Sequence, residues 1–324
     1  MTWQTVINGS AGWSVEAADC LDWLAQLPAD CVDLAMFSPP YDLARSYGVN
    51  FNKAGQSWSA WMVQVFLACR RVCKGMIVCV CDGQTRNFAW SGSPMLLGAD
   101  LIRMGFCLRH PACFVKVSAI PGGGGAAVDH RDRGGSADGW RNDWEFILIT
   151  TRGGRLPWAD GLACGHPPKW APGGAMSNRA SDGTRVNQSG TTSGDLVKAS
   201  SNRRSVGRQA HTKAKRNGDE DQIYSVPAIA NPGNVIRCSV GGGQMGHNLA
   251  HFNEAPYPVA LCERFVRSFC PPHGVVLDCF AGSGTTGHAA LAWGRRFVGC
   301  DLRRSQVDLS VMRLEGVTGT LFAE

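Results

Sequence analysis

The tetrapeptide Ser38-Pro39-Pro40-Tyr41 closes an apolar run, CVDLAMF at 31–37, and carries groups that can act on a substrate. Neither proline has an N–H to donate, so the pair cannot extend a sheet ladder and must form a rigid elbow at the strand's end. Such an elbow presents a serine and a tyrosine, and is either only a turn or the working edge of a site.

A second constellation lies near the other end of the chain, in VVLDCFAGSGTTGHAALAWGRRFVGCDL. Asp278 closes one apolar run, Gly282, Gly284 and Gly287 satisfy G-x-G-x-x-G, and Asp301 closes the next run. Glycines there let the backbone approach a ligand and turn sharply into a helix. Taken alone, the pattern fits a nicotinamide dinucleotide site. No lysine follows the last glycine, as a phosphate-binding P-loop requires, and a carboxylate at Asp278 would repel a pyrophosphate. That carboxylate suits an amino-acid ammonium, and Asp301 can accept hydrogen bonds from a ribose. A ligand that wants an ammonium partner, a close glycine turn and a ribose acceptor is S-adenosylmethionine.

The elements that must position these residues read as an α/β fold. CVDLAMF (31–37), GMIVCVC (75–81), ACFVKV (112–117) and WEFILIT (144–150) have the length and β-branched or aromatic content of strands. QSWSAWMVQVFLACRRVCK (56–74) reads as a helix with Ser57 as its N-cap, since Trp58, Trp61, Met62, Val65 and Cys69 recur at three- and four-residue steps. From about 250 onward, YPVALCERFVRSFC and TTGHAALAWG read as helices, and GVVLDCF and RRFVGCD as strands. Strands alternating with helices imply a parallel sheet. The expected organisation is one core written in two pieces, 1–154 and 246–324, around an inserted region at 155–245.

That insertion is polar and basic. Residues 151–220 carry twelve Lys and Arg against five acids, on a chain whose net charge is +6. A basic block on an otherwise balanced chain fits a polyanion partner, and equally a solvated loop. The fourteen cysteines include no Cys-x-x-Cys pair, and several sit inside apolar runs, so reduced core residues are expected and no metal site. No apolar run reaches the ~18 residues of a membrane span. MTWQTVINGS lacks the charged start and apolar core of a signal peptide, so a cytoplasmic location and no membrane partner are expected.

Both constellations resemble one family. DCFAGSGTTG is similar to the cofactor motif Asp-Pro-Phe-x-Gly-Ser-Gly-Thr-Thr of amino-group DNA methyltransferases, and SPPY resembles their catalytic [Asn/Asp/Ser]-Pro-Pro-[Tyr/Phe]. Catalytic motif first, cofactor motif last and a recognition region between is the order of the β class. Cys279 stands where the family has proline, and Asp301 where many relatives have Glu.

The resemblance implies a Rossmann-like S-adenosylmethionine-dependent methyltransferase fold with a mainly parallel sheet, a circularly permuted motif order and an inserted target-recognition region. It implies that Ser38 and the Pro39 carbonyl accept from a target amino group, that Pro40 stiffens the elbow, and that Tyr41 stacks on a flipped base. Asp278, Phe280, Gly282, Gly284, Thr285, Thr286 and Asp301 would form the cofactor site, with Asp19 near its adenine. Double-stranded DNA with a short recognition sequence is the implied partner; a homodimer and a cognate restriction enzyme are compatible with the family. Candidate DNA contacts are Arg131 and Arg133 in a glycine-rich loop, and Arg179, Arg203, Arg204, Lys213 and Lys215 in the insertion.

Serine at the first elbow position leans toward cytosine N4, with adenine N6 as the alternative. Carbon-5 methylation is disfavoured because no Pro-Cys pair offers a nucleophile. A nicotinamide oxidoreductase, an RNA or protein methyltransferase and a non-catalytic DNA-binding protein are the more distant readings.

Overall fold

A computed structural model describes residues 1–42, 55–86, 89–118, 142–167, 229–240, 245–252 and 256–321. The chain divides into two compact units, 1–163 with 233–324, and 164–232.

In the first unit, a helix α1 (Trp3–Ile7) leads into β1 (Trp13–Ala17), α2 (Cys20–Gln26) and β2 (Val32–Phe37). Next come α3 (Gly55–Val72), β3 (Cys73–Cys81), a two-residue ribbon β4 (Thr85–Arg86) with β5 (Ala89–Trp90), and α4 (Ser93–Arg103). Strands β6 (Cys107–Leu108), β7 (Ala112–Ser118), β8 (Trp144–Thr151) and β9 (Val235–Val240) follow. The last stretch is α5 (Val259–Phe269), β10 (Val275–Asp278), α6 (Thr285–Ala292), β11 (Arg296–Asp301) and α7 (Arg304–Leu321).

One sheet runs in the order β1-β11-β10-β2-β3-β8-β7-β9, with β6 also paired to β8. Its pairs from β1 to β3 are parallel, as is β7 with β9, whereas β8 runs antiparallel to β3, β6 and β7. The sheet is therefore mixed and mainly parallel, with β8 as its antiparallel member. Side-chain alternation splits the core into two layers. Leu34, Met36, Val78, Ile147, Val276 and Phe297 face α5, α6 and α7, while Ala35, Phe37, Ile77, Cys79, Leu277 and Val298 face α2, α3 and α4. Burial on both sides explains why β3 and β10 read as nearly continuous apolar runs.

Two expectations change. Helix α3 begins at Gly55, so Ser57 stands inside its first turn rather than at its cap. Strand β9 lies within the span read as a polar insertion, yet it pairs with β7 over six residues and buries Ile236 and Cys238. Only its alternate residues are apolar and inward, which is the pattern of an edge strand with one covered face. Ten of the fourteen cysteines are buried, and burial pushes thiols such as Cys73 up to about 12. No helix among the described residues is long and apolar enough to cross a membrane.

Candidate functional site

Parallel strands place their carboxyl ends on one edge, where α/β sheets bind ligands. β10 lies between β11 and β2, with Leu277 in register with Ala35. Asp278 follows that pair directly and Ser38 lies three residues past Ala35, so neighbouring strands deliver both constellations to the same edge. Phe280 joins them, its ring meeting those of Phe37 and Trp61 edge-on at 5.7 Å each. It is half-buried and works as packing between the turn and the elbow.

At the glycine turn, Gly282 and Gly284 have φ of 51° and 77°, the left-handed region that favours glycine. Gly284 caps α6 and abuts Ser310 of α7, whose hydroxyl donates to the Gly282 carbonyl at 2.7 Å. Asp278 is 1% exposed. Its Oδ1 accepts from the Phe280 amide (2.9 Å), and its Oδ2 from Thr286 (2.6 Å) and Tyr257 (3.1 Å). Burial nonetheless outweighs these donors and raises its carboxyl from 3.8 to about 6.

Asp301 accepts from the Gly282 amide (3.0 Å) and the Arg303 amide (2.9 Å), and burial raises it too. Thr285 accepts from Arg313 at 2.9 Å, a side chain that is fully buried behind the turn. Both threonines are thus engaged within the protein. Asp19 caps α2 by accepting from Leu21 (2.8 Å) and Asp22 (3.4 Å), and the neighbouring Ala18 amide bonds the Asp301 carbonyl at 3.1 Å. Asp19 and Asp301 therefore share the sheet edge.

At the elbow, Trp58 of α3 donates to the Pro40 carbonyl at 2.7 Å. Buried Asp42 accepts from Gly55 at 3.2 Å and from Ser93 at the start of α4. These bonds hold the segment leaving the elbow against two helices. The Ser38 hydroxyl is 3.5 Å from that of Tyr41, which donates to Glu145 at 2.8 Å, and Glu145 pairs with Lys116 at 2.5 Å. Asp82, just past β3, accepts from Gly83 (2.7 Å) and from Asn142, and burial raises its carboxyl. Sequence reasoning missed Tyr257, Arg313, Asp82, Glu145 and Lys116. A signal existed for the last two, each the one charge in an apolar strand.

The candidate DNA contacts Arg131, Arg133, Arg179, Arg203, Arg204, Lys213 and Lys215 lie outside the described residues.

Comparison with known proteins fits this geometry. The type II methyltransferase M.ScaI of Streptomyces caespitosus is 43% identical over 68 residues, 21% of this chain and 22% of that protein. The DNA adenine methyltransferase YhdJ of Escherichia coli is 40% identical over 58 residues, 18% of this chain and 20% of that one. The chain thus matches about a fifth of the length of these curated relatives. The cytosine-N4-specific PvuII DNA methyltransferase shares the fold, with a TM-score of 0.62 at 16% identity, covering 95% of this chain and 91% of that one. TTHA0409 of Thermus thermophilus, solved with S-adenosyl-L-methionine, gives 0.51 at 19% identity over 94% and 93%. The family model N6_N4_Mtase, a DNA methylase, matches residues 32–312, and the chain belongs to that family.

Proposed function

We propose that the protein transfers a methyl group from S-adenosylmethionine to the exocyclic amino nitrogen of a base in double-stranded DNA, cytosine N4 ahead of adenine N6. The observation that carries this is the register of β10 beside β2, which sets Asp278 and its glycine turn next to the Ser38 elbow. A dinucleotide site would need no such elbow.

The residues present fit the cofactor. Asp278 Oδ1 accepts one protein donor where Oδ2 accepts two, so acceptor capacity remains there for an ammonium group. Asp301 accepts hydrogen bonds from two amides on separate oxygens, with the Arg303 guanidinium 4.0 Å away, and can still accept from ribose hydroxyls. Bound S-adenosylmethionine would supply a sulfonium methyl open to attack by a nitrogen lone pair, with the thioether as leaving group and one amino hydrogen released as a proton. The chain's part is to make that lone pair available. An exocyclic amino group is a poor nucleophile because its lone pair is delocalised into the ring. Ser38 and the Pro39 carbonyl accept its two hydrogens and favour a tetrahedral nitrogen, and Pro40 and Trp58 keep the elbow from turning away. Tyr41 offers a ring face to a base taken out of the stack. Transfer is direct, with no covalent enzyme intermediate.

Relatives named for each base exist, so the lean toward cytosine rests on serine at position 38. The basic stretch at 151–220 would supply phosphate contacts through Arg179, Arg203, Arg204, Lys213 and Lys215, and the glycine-rich loop before it through Arg131 and Arg133; these are the residues to test. The deciding experiment incubates the protein with duplex DNA and methyl-labelled S-adenosylmethionine, then digests the DNA to nucleosides for mass spectrometry. N4-methylcytosine is expected; N6-methyladenine would overturn the base assignment, and unlabelled DNA would overturn the reading itself.

A further inference from the structure

Glu145 and Lys116 are unused by the reaction described above, yet both are largely withdrawn from water. Their side chains are 13% and 15% exposed and 2.5 Å apart, on the paired strands β8 and β7. Desolvation makes such a pair a poor device for stability alone, so its other contacts decide its meaning. The second oxygen of Glu145 accepts from the Tyr41 hydroxyl at 2.8 Å, and the Tyr41 oxygen is 3.5 Å from Ser38 Oγ. That last distance is longer than an ordinary O–H···O hydrogen bond, as catalytic contacts often are before substrate binds.

A serine hydroxyl can donate or accept, and in the elbow only accepting helps an amino group. We infer that Lys116, Glu145 and Tyr41 fix the polarity of Ser38, parking its hydrogen on Tyr41 so that its lone pairs face the target amino group. The donor inventory enforces the order. Lys116 can only donate, and an ionised Glu145 can only accept. Tyr41 must then spend its one hydrogen on Glu145, which leaves its oxygen able only to accept from Ser38. Aspartate, which the family also uses at the first elbow position, needs no such arrangement because it is an acceptor throughout. Glu145 and Lys116 are positioning residues: they act on the reaction only through Tyr41 and Ser38.

This inference rests on the methyl-transfer reading, and one set of variants separates the two. Single-turnover methyl transfer is measured on DNA that the wild-type protein modifies, with binding of S-adenosylmethionine and of DNA measured alongside. Tyr41→Phe removes the relay hydroxyl. Glu145→Gln reverses it, because the amide oxygen is drawn to Lys116 and the NH2 is left to donate to Tyr41. Each should slow transfer by about 10- to 100-fold, the range for losing one hydrogen bond to a charged network. Both dissociation constants should stay within about threefold.

In a Ser38→Asp background, where the elbow accepts whatever Tyr41 does, the same two substitutions should change the rate by less than about threefold. A merely structural Glu145 would cost the same in both backgrounds, and that result overturns the inference. So does a Tyr41→Phe protein that transfers at the wild-type rate, or a folded Ser38→Asp protein that transfers nothing. If Ser38→Asp does not fold, Ser38→Ala takes its place: without a hydroxyl there is no polarity to set, and the same two substitutions should again change the remaining rate by less than about threefold. A wild-type protein that methylates no DNA sinks the methyl-transfer reading itself, whereas active but insensitive variants sink only the polarity assignment.

Discussion

At the glycine turn the carboxylate of Asp278 is met by neutral donors, two hydroxyls and one amide. At the elbow the carboxylate of Glu145 is met by the ammonium of Lys116 as well as by a hydroxyl. Burial lifts Asp278 to about 6 despite its hydrogen bonds. Hydroxyls and amides orient a buried charge but do not neutralise it. Asp278 is therefore a carboxylate that gains most when a cation arrives, which suits a ligand site. Glu145 already has its cation and is committed to geometry.

The largest expected effect tests that contrast at Asp278. Asp278→Asn keeps the shape and removes the charge, and should weaken S-adenosylmethionine binding about 10- to 100-fold by calorimetry, the worth of one charge-assisted hydrogen bond. In the wild-type protein, affinity should fall as pH drops through about 6, because protonation of Asp278 removes the partner of the ammonium group. The variant should lack that step. Stability should move the other way. A folded-state value raised from 3.8 to about 6 means the folded protein holds this proton more tightly than the unfolded chain. Wild-type stability from this group therefore declines as pH rises from 3.8 to about 6 and is level above, while Asp278→Asn shows no such decline. A pH-independent cofactor affinity in the wild-type protein would break the comparison.

A smaller effect is expected from packing behind the same turn. A Cβ on Gly287 would lie 2.6 Å from Cδ1 of Phe297, a ring that is completely buried between α6 and the sheet. Gly287→Ala should cost about 1–3 kcal/mol in urea denaturation, the usual range for overpacking. Cofactor affinity should fall with it, because the displaced α6 carries Thr286 and with it one donor to Asp278. The elbow should be spared, so transfer at saturating cofactor should hold within about threefold, as expected of sites that do not share partners. A loss of transfer at saturation would show that the two corners are mechanically one.

The parts of this arrangement that sequence reveals are those set by local pattern. Strands β3, β10 and β11 are apolar over most of their length because both faces are covered, and α5 shows its buried face at Val259, Cys262, Phe265 and Val266. The two motifs stand out because prolines and glycines have few other uses at such positions. What local pattern does not hold is pairing. Nothing within 235–240 says that a half-polar stretch joins β7, and nothing in the elbow says that Tyr41 meets Glu145, 104 residues away. Charges inside ACFVKVS and WEFILITT were visible, but their value depends on the antiparallel register that sets β7 against β8.

The smallest effect lies on the elbow side, at Trp58. Its indole donates to the Pro40 carbonyl at 2.7 Å from a fully buried position. Trp58→Phe keeps most of the packing and removes that donor. Pro39 and Pro40 lack amides, so neither can re-pair the freed carbonyl. A cost of about 1–2 kcal/mol is expected, the loss of one buried hydrogen bond. Methyl transfer should slow by less than about tenfold, since Ser38 and Tyr41 keep their own contacts. S-adenosylmethionine affinity should not change. The risk to that expectation is specific: Trp61, one turn along α3, touches Phe280 edge-on, and Phe280 begins the glycine turn. If α3 shifts as a body, cofactor binding will weaken together with transfer. A variant that loses both would show that α3 couples the corners, and that neutral donors and the ion pair serve one continuous site.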